Sequence, residues 1–133
     1  MERRIIENYI KKSKMGISFA EIEQELENNN INPKGEYWLP YKSYKNIYIW
    51  GNMSENFINA ITSLIKEFKI QLMECATIIY YIDGHVMTLP IAKKERDYQT
   101  EHWLPMLIIK DKKLKLENWV ELCYWLKLEL GNC

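Results

Sequence analysis

Two histidines, His85 and His102, are the residues of this chain best suited to acid–base or metal chemistry. His85 stands two positions after Asp83, and His102 directly follows Glu101. An imidazole beside a carboxylate is a pairing that general acid–base catalysis uses. Neither pair has the spacing of a zinc motif, and the glycine-rich loops that hold nucleotide phosphates are absent from the sequence. The sequence therefore predicts no catalytic residue, no metal site and no cofactor, and we expect a protein that is not an enzyme.

The cysteines offer little further chemistry. Cys75, Cys123 and Cys133 are odd in number, widely spaced and without a C-x-x-C pair, which is typical of reduced thiols. The first residues are charged and lack the apolar run of an export signal. No stretch approaches the ~20 apolar residues of a membrane span. We therefore expect a cytoplasmic protein with no membrane contact.

Basic side chains could supply a second chemistry, the binding of phosphate. The chain has 18 basic and 18 acidic residues, so its net charge is zero and it is no general polycation. The charges are segregated, however, since residues 16–30 contain only acidic charges whereas the stretch 91–115 is net basic. Lys93, Lys94 and Arg96 begin that basic stretch. These charges fit either a local phosphate-binding surface or the solvated face of a lysine-rich protein.

An aromatic cluster interleaved with lysines covers residues 37–50. Aromatic rings beside cations can stack on nucleic-acid bases, and Tyr and Trp are also enriched at protein interfaces. The same rings would equally suit packing over the core of their own domain. The candidate interaction surface, for another protein or for a second copy in a homodimer, consists of Tyr41, Tyr44 and Trp50.

Three helices are predicted from apolar periodicity and capping residues. Apolar residues at helical spacing indicate a helix over 3–13. A capping box that starts at Ser18 begins a second helix, which ends at the asparagines 28–30. Ser54 caps the third helix, 54–69, which has the strongest amphipathic pattern of the chain.

The strands are predicted from alternation and turn residues. Residues 46–50 and 70–74 alternate as strands do, whereas 31–45, with two prolines and a glycine, is expected to be a loop. Asp83-Gly84 lies between two β-branched and aromatic runs, a signal for a type I′ turn, and predicts a hairpin over 77–90.

The C-terminal third predicts a second hairpin and a last helix. Residues 106–110 and 113–116 are expected to pair around a turn near Asp111. Residues 118–130 have helical periodicity and are followed by Gly131. With 133 residues and 47% hydrophobic content, the chain is expected to form a single α+β domain, 1–133.

Helices followed by a β-hairpin resemble a winged helix-turn-helix domain, here over about residues 3–90, with 91–133 as a C-terminal extension. The resemblance implies that helix 54–69 is a DNA recognition helix and that hairpin 77–90 is the wing. About two dozen residues separate the second and third helices, whereas the turn of that family has about 3–4.

A second resemblance, over about residues 46–105, is to uncharacterised bacterial proteins. These proteins share a hairpin, then the pattern Leu89-Pro90-Ile91-Ala92-Lys93, then His102-Trp103-Leu104-Pro105. This resemblance implies no activity.

The function we expect from the sequence is that of a small non-enzymatic protein that binds double-stranded DNA or is regulatory, acting through helix 54–69 and hairpin 77–90. On helix 54–69, Asn59 and Ser63 could bond base edges, and Lys66 could bond phosphate. Lys93, Lys94 and Arg96 would then lie near the flanking DNA backbone. The alternative is a protein–protein interaction or assembly module that uses the aromatic loop 37–50 or the C-terminal helix 118–130. A third hypothesis, an enzyme, would require a pocket that joins His85 or His102 to carboxylates.

Overall fold

The computed structural model describes residues 1–13 and 16–110 of the chain. Within these residues the fold is α+β, with helices packed against two small sheets. The predicted second strand of the C-terminal hairpin, 113–116, and the predicted helix 118–130 lie outside the described residues. In chain order the elements are α1 (Glu2–Lys12), β1 (Ile17–Ser18), α2 (Phe19–Asn28), β2 (Lys34–Pro40), β3 (Ile47–Met53), α3 (Glu55–Lys66), β4 (Ile70–Glu74), α4 (Ile78–Ile82), β5 (His102–Trp103) and β6 (Met106–Lys110).

The three predicted helices are confirmed as α1, α2 and α3. The Ser18 hydroxyl accepts a hydrogen bond from the amide of Glu21 at 3.0 Å, and Ser54 Oγ accepts from the amide of Phe57 at 3.1 Å. Each serine thereby satisfies one of the free amides at its helix start. The third helix ends at Lys66, three residues before the predicted end.

Sheet A contains β1, β6 and β4 in that order, and all pairs are antiparallel. Ile108 of the central strand pairs with Ile17 on one side and Leu72 on the other. The predicted strands 70–74 and 106–110 are therefore confirmed, and they pair with each other. Strand β6 belongs to this sheet and β5 belongs to the second sheet. Both sheets therefore include strands from the predicted C-terminal extension, which begins after residue 90.

Sheet B contains β2, β3 and β5, with β2 antiparallel and β5 parallel to β3. The predicted strand 46–50 is confirmed and continues to Met53. The prediction of a loop over 31–45 is wrong for residues 34–40, which form the edge strand β2. An edge strand tolerates a proline because one side of its backbone needs no partner strand.

The predicted hairpin 77–90 is wrong, because its first half is the short helix α4 and residues 83–90 form no strand. The burial of Tyr80 accounts for the helical conformation of residues 78–82. Its side chain is fully buried, and its ring lies 5.1 Å from the ring of Trp50 and 5.0 Å from that of Trp103. A helical turn directs Tyr80 into the core, and this tertiary packing overrides the β propensity of the run.

The core lies where the helices meet both sheets. Trp50 of β3 is central to it, since its ring contacts Phe19 of α2, Tyr80 of α4 and Trp103 of β5. Phe19 also contacts Phe57 at the start of α3. One aromatic cluster therefore joins two strands of sheet B to three helices.

Among the helices of the described residues, none is both long enough and apolar enough to cross a bilayer.

Candidate nucleic-acid interface

Two loops that are about 50 residues apart in sequence pack together beside sheet B. One is the connection 41–46 between β2 and β3, and the other is the segment 93–98 before β5. The amide of Lys45 donates to Asp97 Oδ1 at 2.8 Å, and the amide of Tyr98 donates to the carbonyl of Lys45 at 3.0 Å. Asn46 Nδ2 donates to the carbonyl of Tyr98 at 2.9 Å. These bonds fix one loop against the other.

The two loops carry the cations that we call the basic loop pair, which are Lys42, Lys45, Lys93, Lys94 and Arg96. All five are exposed. The two carboxylates between them are used internally, because Glu95 accepts from the Tyr41 hydroxyl and Asp97 accepts from a backbone amide. Lys42 Nζ lies 3.8 Å from Glu95. Within the described part of the chain Lys45, Lys93 and Lys94 form no ion pair, so the surface retains excess positive charge.

Two of these cations, Lys42 and Arg96, contact the faces of aromatic rings. Tyr44 stacks on Tyr41 with ring centroids 6.0 Å apart, and Lys42 Nζ lies 4.9 Å from the centroid of the Tyr41 ring. The guanidinium of Arg96 lies 4.8 Å from the centroid of the Tyr98 ring. Cation–π contacts of this kind restrict a long basic side chain while leaving its charge accessible.

Tyr41 and Tyr98 have shifted acidities. Burial, and next the hydrogen bond to Glu95, raise the pKa of Tyr41, so it remains a neutral donor to that carboxylate. Tyr98 behaves oppositely, because the amide of Lys94 donates to its oxygen and lowers its pKa.

The predicted aromatic interaction surface is only partly at the surface. Trp50 is 1% exposed and Tyr41 is 6% exposed, so the prediction that they form a contact surface is wrong. The indole of Trp50 donates to Glu23, and the hydroxyl of Tyr41 donates to Glu95. Tyr44 is half-buried and lies at the basic loop pair.

The predicted polar face of α3 is more exposed than the predicted aromatic surface. Asn59 and Lys66 are exposed, whereas Ser63 is half-buried and accepts from Arg3 Nη1 at 3.3 Å. Asn59 and Ser63 line a shallow groove of about 330 Å³ between α3 and the start of α1. Arg3 itself is bound by Glu67, with Nη1 and Nη2 2.6 and 2.7 Å from its two carboxylate oxygens.

The end of α3 and the basic loop pair border one groove. Its volume is about 1020 Å³, and Tyr41 and Lys42 line it together with Ile65 and Phe68. Of the predicted nucleic-acid contacts, Asn59 and Ser63 line the separate groove beside α1, and neither Lys66 nor the cations after residue 90 are among the described residues that line this larger groove.

The sequence reasoning missed one buried charge, Glu23. His85 Nδ1 lies 2.7 Å from Glu23 Oε1, and Trp50 Nε1 donates to Glu23 Oε2 at 2.8 Å. In the sequence, Glu23 is one of the acidic residues of the segment 16–30. The signal that could have found it is its helical spacing from the buried residues Ala20 and Leu26, which places it on the core face of α2.

The histidines have different surroundings. Asp83, the expected partner of His85, instead accepts from Ser18 Oγ at 2.5 Å. His102 Nδ1 lies 2.7 Å from the carbonyl of Thr100. Among residues 1–13 and 16–110, no group of three or more His, Cys, Asp and Glu could hold a metal ion.

No protein-family model, no curated protein and no solved structure matches this chain.

Proposed function

We propose that this protein binds double-stranded DNA as a winged-helix domain does, with α3 as the recognition helix and the basic loop pair on the flanking phosphates. The observation that carries the proposal is the order of elements in and around sheet A. Helix α1 is followed by the short strand β1, then by α2 and α3, and then by β4 and β6. Strand β1 lies beside β6, and β6 lies between β1 and β4. Helices followed by antiparallel strands are what the winged helix-turn-helix resemblance implies, although here β2 and β3 stand between α2 and α3, and α4 and β5 stand between β4 and β6.

In this proposal the wing is the segment 93–98 of the connection between β4 and β6. It therefore replaces the hairpin 77–90 that the sequence suggested. Lys93, Lys94 and Arg96 belong to that connection, and the bonds to Lys45 hold it in place. Lysine and arginine at such a position would bind phosphate without reading sequence.

Helix α3 supplies the groups that could read bases. Asn59 has an amide that can donate and accept at a base edge, and Ser63 has a hydroxyl that can do both. Lys66, one turn later, is exposed and could bond a phosphate. The hairpin of β2 and β3 separates α2 from α3, so these two helices are not joined by the short turn of a simple helix-turn-helix.

The alternative, a protein contact surface on residues 37–50, has few exposed aromatic side chains. Since Trp50 and Tyr41 are buried, such a surface would consist of Tyr37, which is 48% exposed, and the half-buried Trp38, Tyr44 and Tyr48. Three of these four rings are half-buried, whereas all five cations of the basic loop pair are exposed. This comparison favours a nucleic acid over a protein at this part of the surface.

Fluorescence anisotropy with a labelled duplex at low salt tests the proposal. We expect Lys66→Ala and Lys93→Ala each to weaken binding several-fold, with a less steep salt dependence. The matched control is Lys34→Ala, which removes the same charge beside Glu27 and Asp83 in a separate groove. Absence of binding at low salt, or equal weakening by the control, would contradict the proposal.

A further inference from the structure

Helix α4 exposes a compact apolar surface. Ile78, Tyr81 and Ile82 are 42%, 65% and 69% exposed. Their spacing of three and four residues places them on one side of the helix, and we call them the apolar α4 face. Single exposed apolar residues are common, but adjacent ones with a polar border are typical of interaction sites.

The apolar α4 face is held rigidly from behind. Tyr80 is fully buried, and its hydroxyl donates to the carbonyl of Met106 at 2.5 Å. The same hydroxyl accepts from the amide of Phe19 at 3.1 Å. After the helix, Asp83 accepts from Ser18 Oγ. A partner would therefore meet a preformed surface and would not have to order it.

The border of this face is acidic. Asp83 follows α4 directly, and its bond to Ser18 brings it to the start of α2, where Glu21 lies in the first turn and Glu25 follows one turn later. Burial, and also the nearby charge of Asp83, raise the pKa of Glu21. The hydroxyl of Tyr9 donates to Glu21, and burial, this hydrogen bond and the charges of Glu21, Glu25 and Asp83 raise the pKa of Tyr9. Residues 16–30 contain no basic side chain, although Lys34 lines a groove together with Asp83 and Glu27.

We infer that the apolar α4 face is a docking site for a protein segment that is both apolar and basic, such as an amphipathic helix bordered by Lys and Arg. The apolar side chains would supply buried area, and the acidic border would select positive charge. A phosphate backbone or an anionic lipid surface would be repelled. A second copy of this chain that used the same face would bring two acidic borders together. The inference does not depend on DNA binding, since the face and the basic loop pair share no residue.

The probe is a synthetic amphipathic peptide of Leu and Lys, compared with a peptide in which every Lys is replaced by Glu. We expect the Lys peptide to bind the full chain and the Glu peptide not to bind. The double variant Ile78→Ser/Ile82→Ser should weaken binding of the Lys peptide about tenfold or more, as loss of central apolar anchors does. The variant Glu25→Gln should weaken it less and reduce its salt dependence.

The matched control is Tyr37→Ser, which removes an exposed aromatic side chain from β2. Circular dichroism checks that each variant is folded. Equal binding of the two peptides, or equal weakening by Tyr37→Ser, would overturn the inference. Light scattering tests the remaining occupant, because a dimer that becomes monomeric in Ile78→Ser/Ile82→Ser would assign the face to a second copy.

Discussion

The imidazole of His85 lies 2.7 Å from the carboxylate of Glu23, whose side chain is 4% exposed although it carries a charge on the core side of α2. The second oxygen of Glu23 accepts from the indole of Trp50 at 2.8 Å. One carboxylate thus joins α2, β3 and the chain that follows α4. A buried charge of this kind is tolerated only while its partners remain in place.

Glu23→Leu is expected to lower the free energy of unfolding by about 1–3 kcal/mol, since it leaves the buried indole N–H of Trp50 without an acceptor. Glu23→Gln should lower it less, because an amide oxygen can still accept that hydrogen bond. Urea denaturation measures both. The control is Glu27→Gln, an exposed change on the same helix, with an effect below about 0.5 kcal/mol. A Glu23→Leu protein as stable as the original would show that this carboxylate has no structural role.

Tyr80→Phe tests the anchoring of α4 without changing its shape. The variant keeps the ring but removes the hydroxyl that bonds the carbonyl of Met106 and the amide of Phe19. Two buried backbone groups lose a partner, so we expect a loss of about 1–3 kcal/mol in unfolding free energy. Denaturant titration followed by tryptophan fluorescence measures it. The exposed neighbour provides the comparison, because Tyr81→Phe should be nearly neutral, and equal effects of the two changes would contradict the prediction.

The ion pairs between α1 and the end of α3 predict how stability depends on pH. The hydrogen bond from Arg3 lowers the pKa of Glu67, and the one from Lys69 lowers the pKa of Glu7. The folded protein therefore binds fewer protons at these groups than the unfolded chain does. Their contribution to stability is present above the ordinary Glu pKa of about 4.3 and is lost as the pH falls through the lowered values.

Glu67→Gln should accordingly be less stable than the original protein at pH 7, and the difference should disappear in acid. Thermal unfolding at both pH values checks this. Because the pair is exposed, added salt should also reduce the difference at pH 7. A difference that persisted at a pH below both pKa values would indicate a steric effect of the substitution.

The salt dependence of DNA binding should identify the surface that is used. If each of Lys93, Lys94 and Arg96 neutralises one phosphate, replacing all three by Ala should reduce the slope of log K against log salt by about 2.7. Anisotropy titrations over a range of salt concentrations measure the slope. The charge-matched triple Lys11→Ala/Lys12→Ala/Lys34→Ala should leave the slope almost unchanged. If both triples reduced the slope equally, the protein would bind through diffuse charge.

The helices could be predicted from the sequence because their signals are local. Ser18 and Ser54 cap the following helices through amides three residues away, and the apolar stripes lie on the same short segments. The error at 77–90 has a non-local cause. Nothing in that segment reveals that Tyr80 fits between Trp50 and Trp103, and those contacts select a helical turn.

The candidate interface was predicted in parts but not as a whole. Lys93, Lys94 and Arg96 stand out in the sequence as a basic group, and so do the tyrosines near residue 41. Their association depends on Asp97 and Glu95, whose acceptors meet a backbone amide and a hydroxyl about 50 residues away. Acidic residues within a basic run reduce its net charge in a sequence count. In the folded chain these two bind protein groups, and the cations around them remain accessible.

Strand β6 occupies the centre of sheet A although it comes last in the described chain. During synthesis on a ribosome, β1 and β4 therefore emerge before the strand that pairs with both. Ile17, for example, can pair only after Ile108 has been synthesised. Contacts so distant in sequence form slowly, and the unpaired apolar strands are prone to aggregate meanwhile. The nascent chain should consequently expose the edges of β1 and β4 until Met106–Lys110 has left the ribosome.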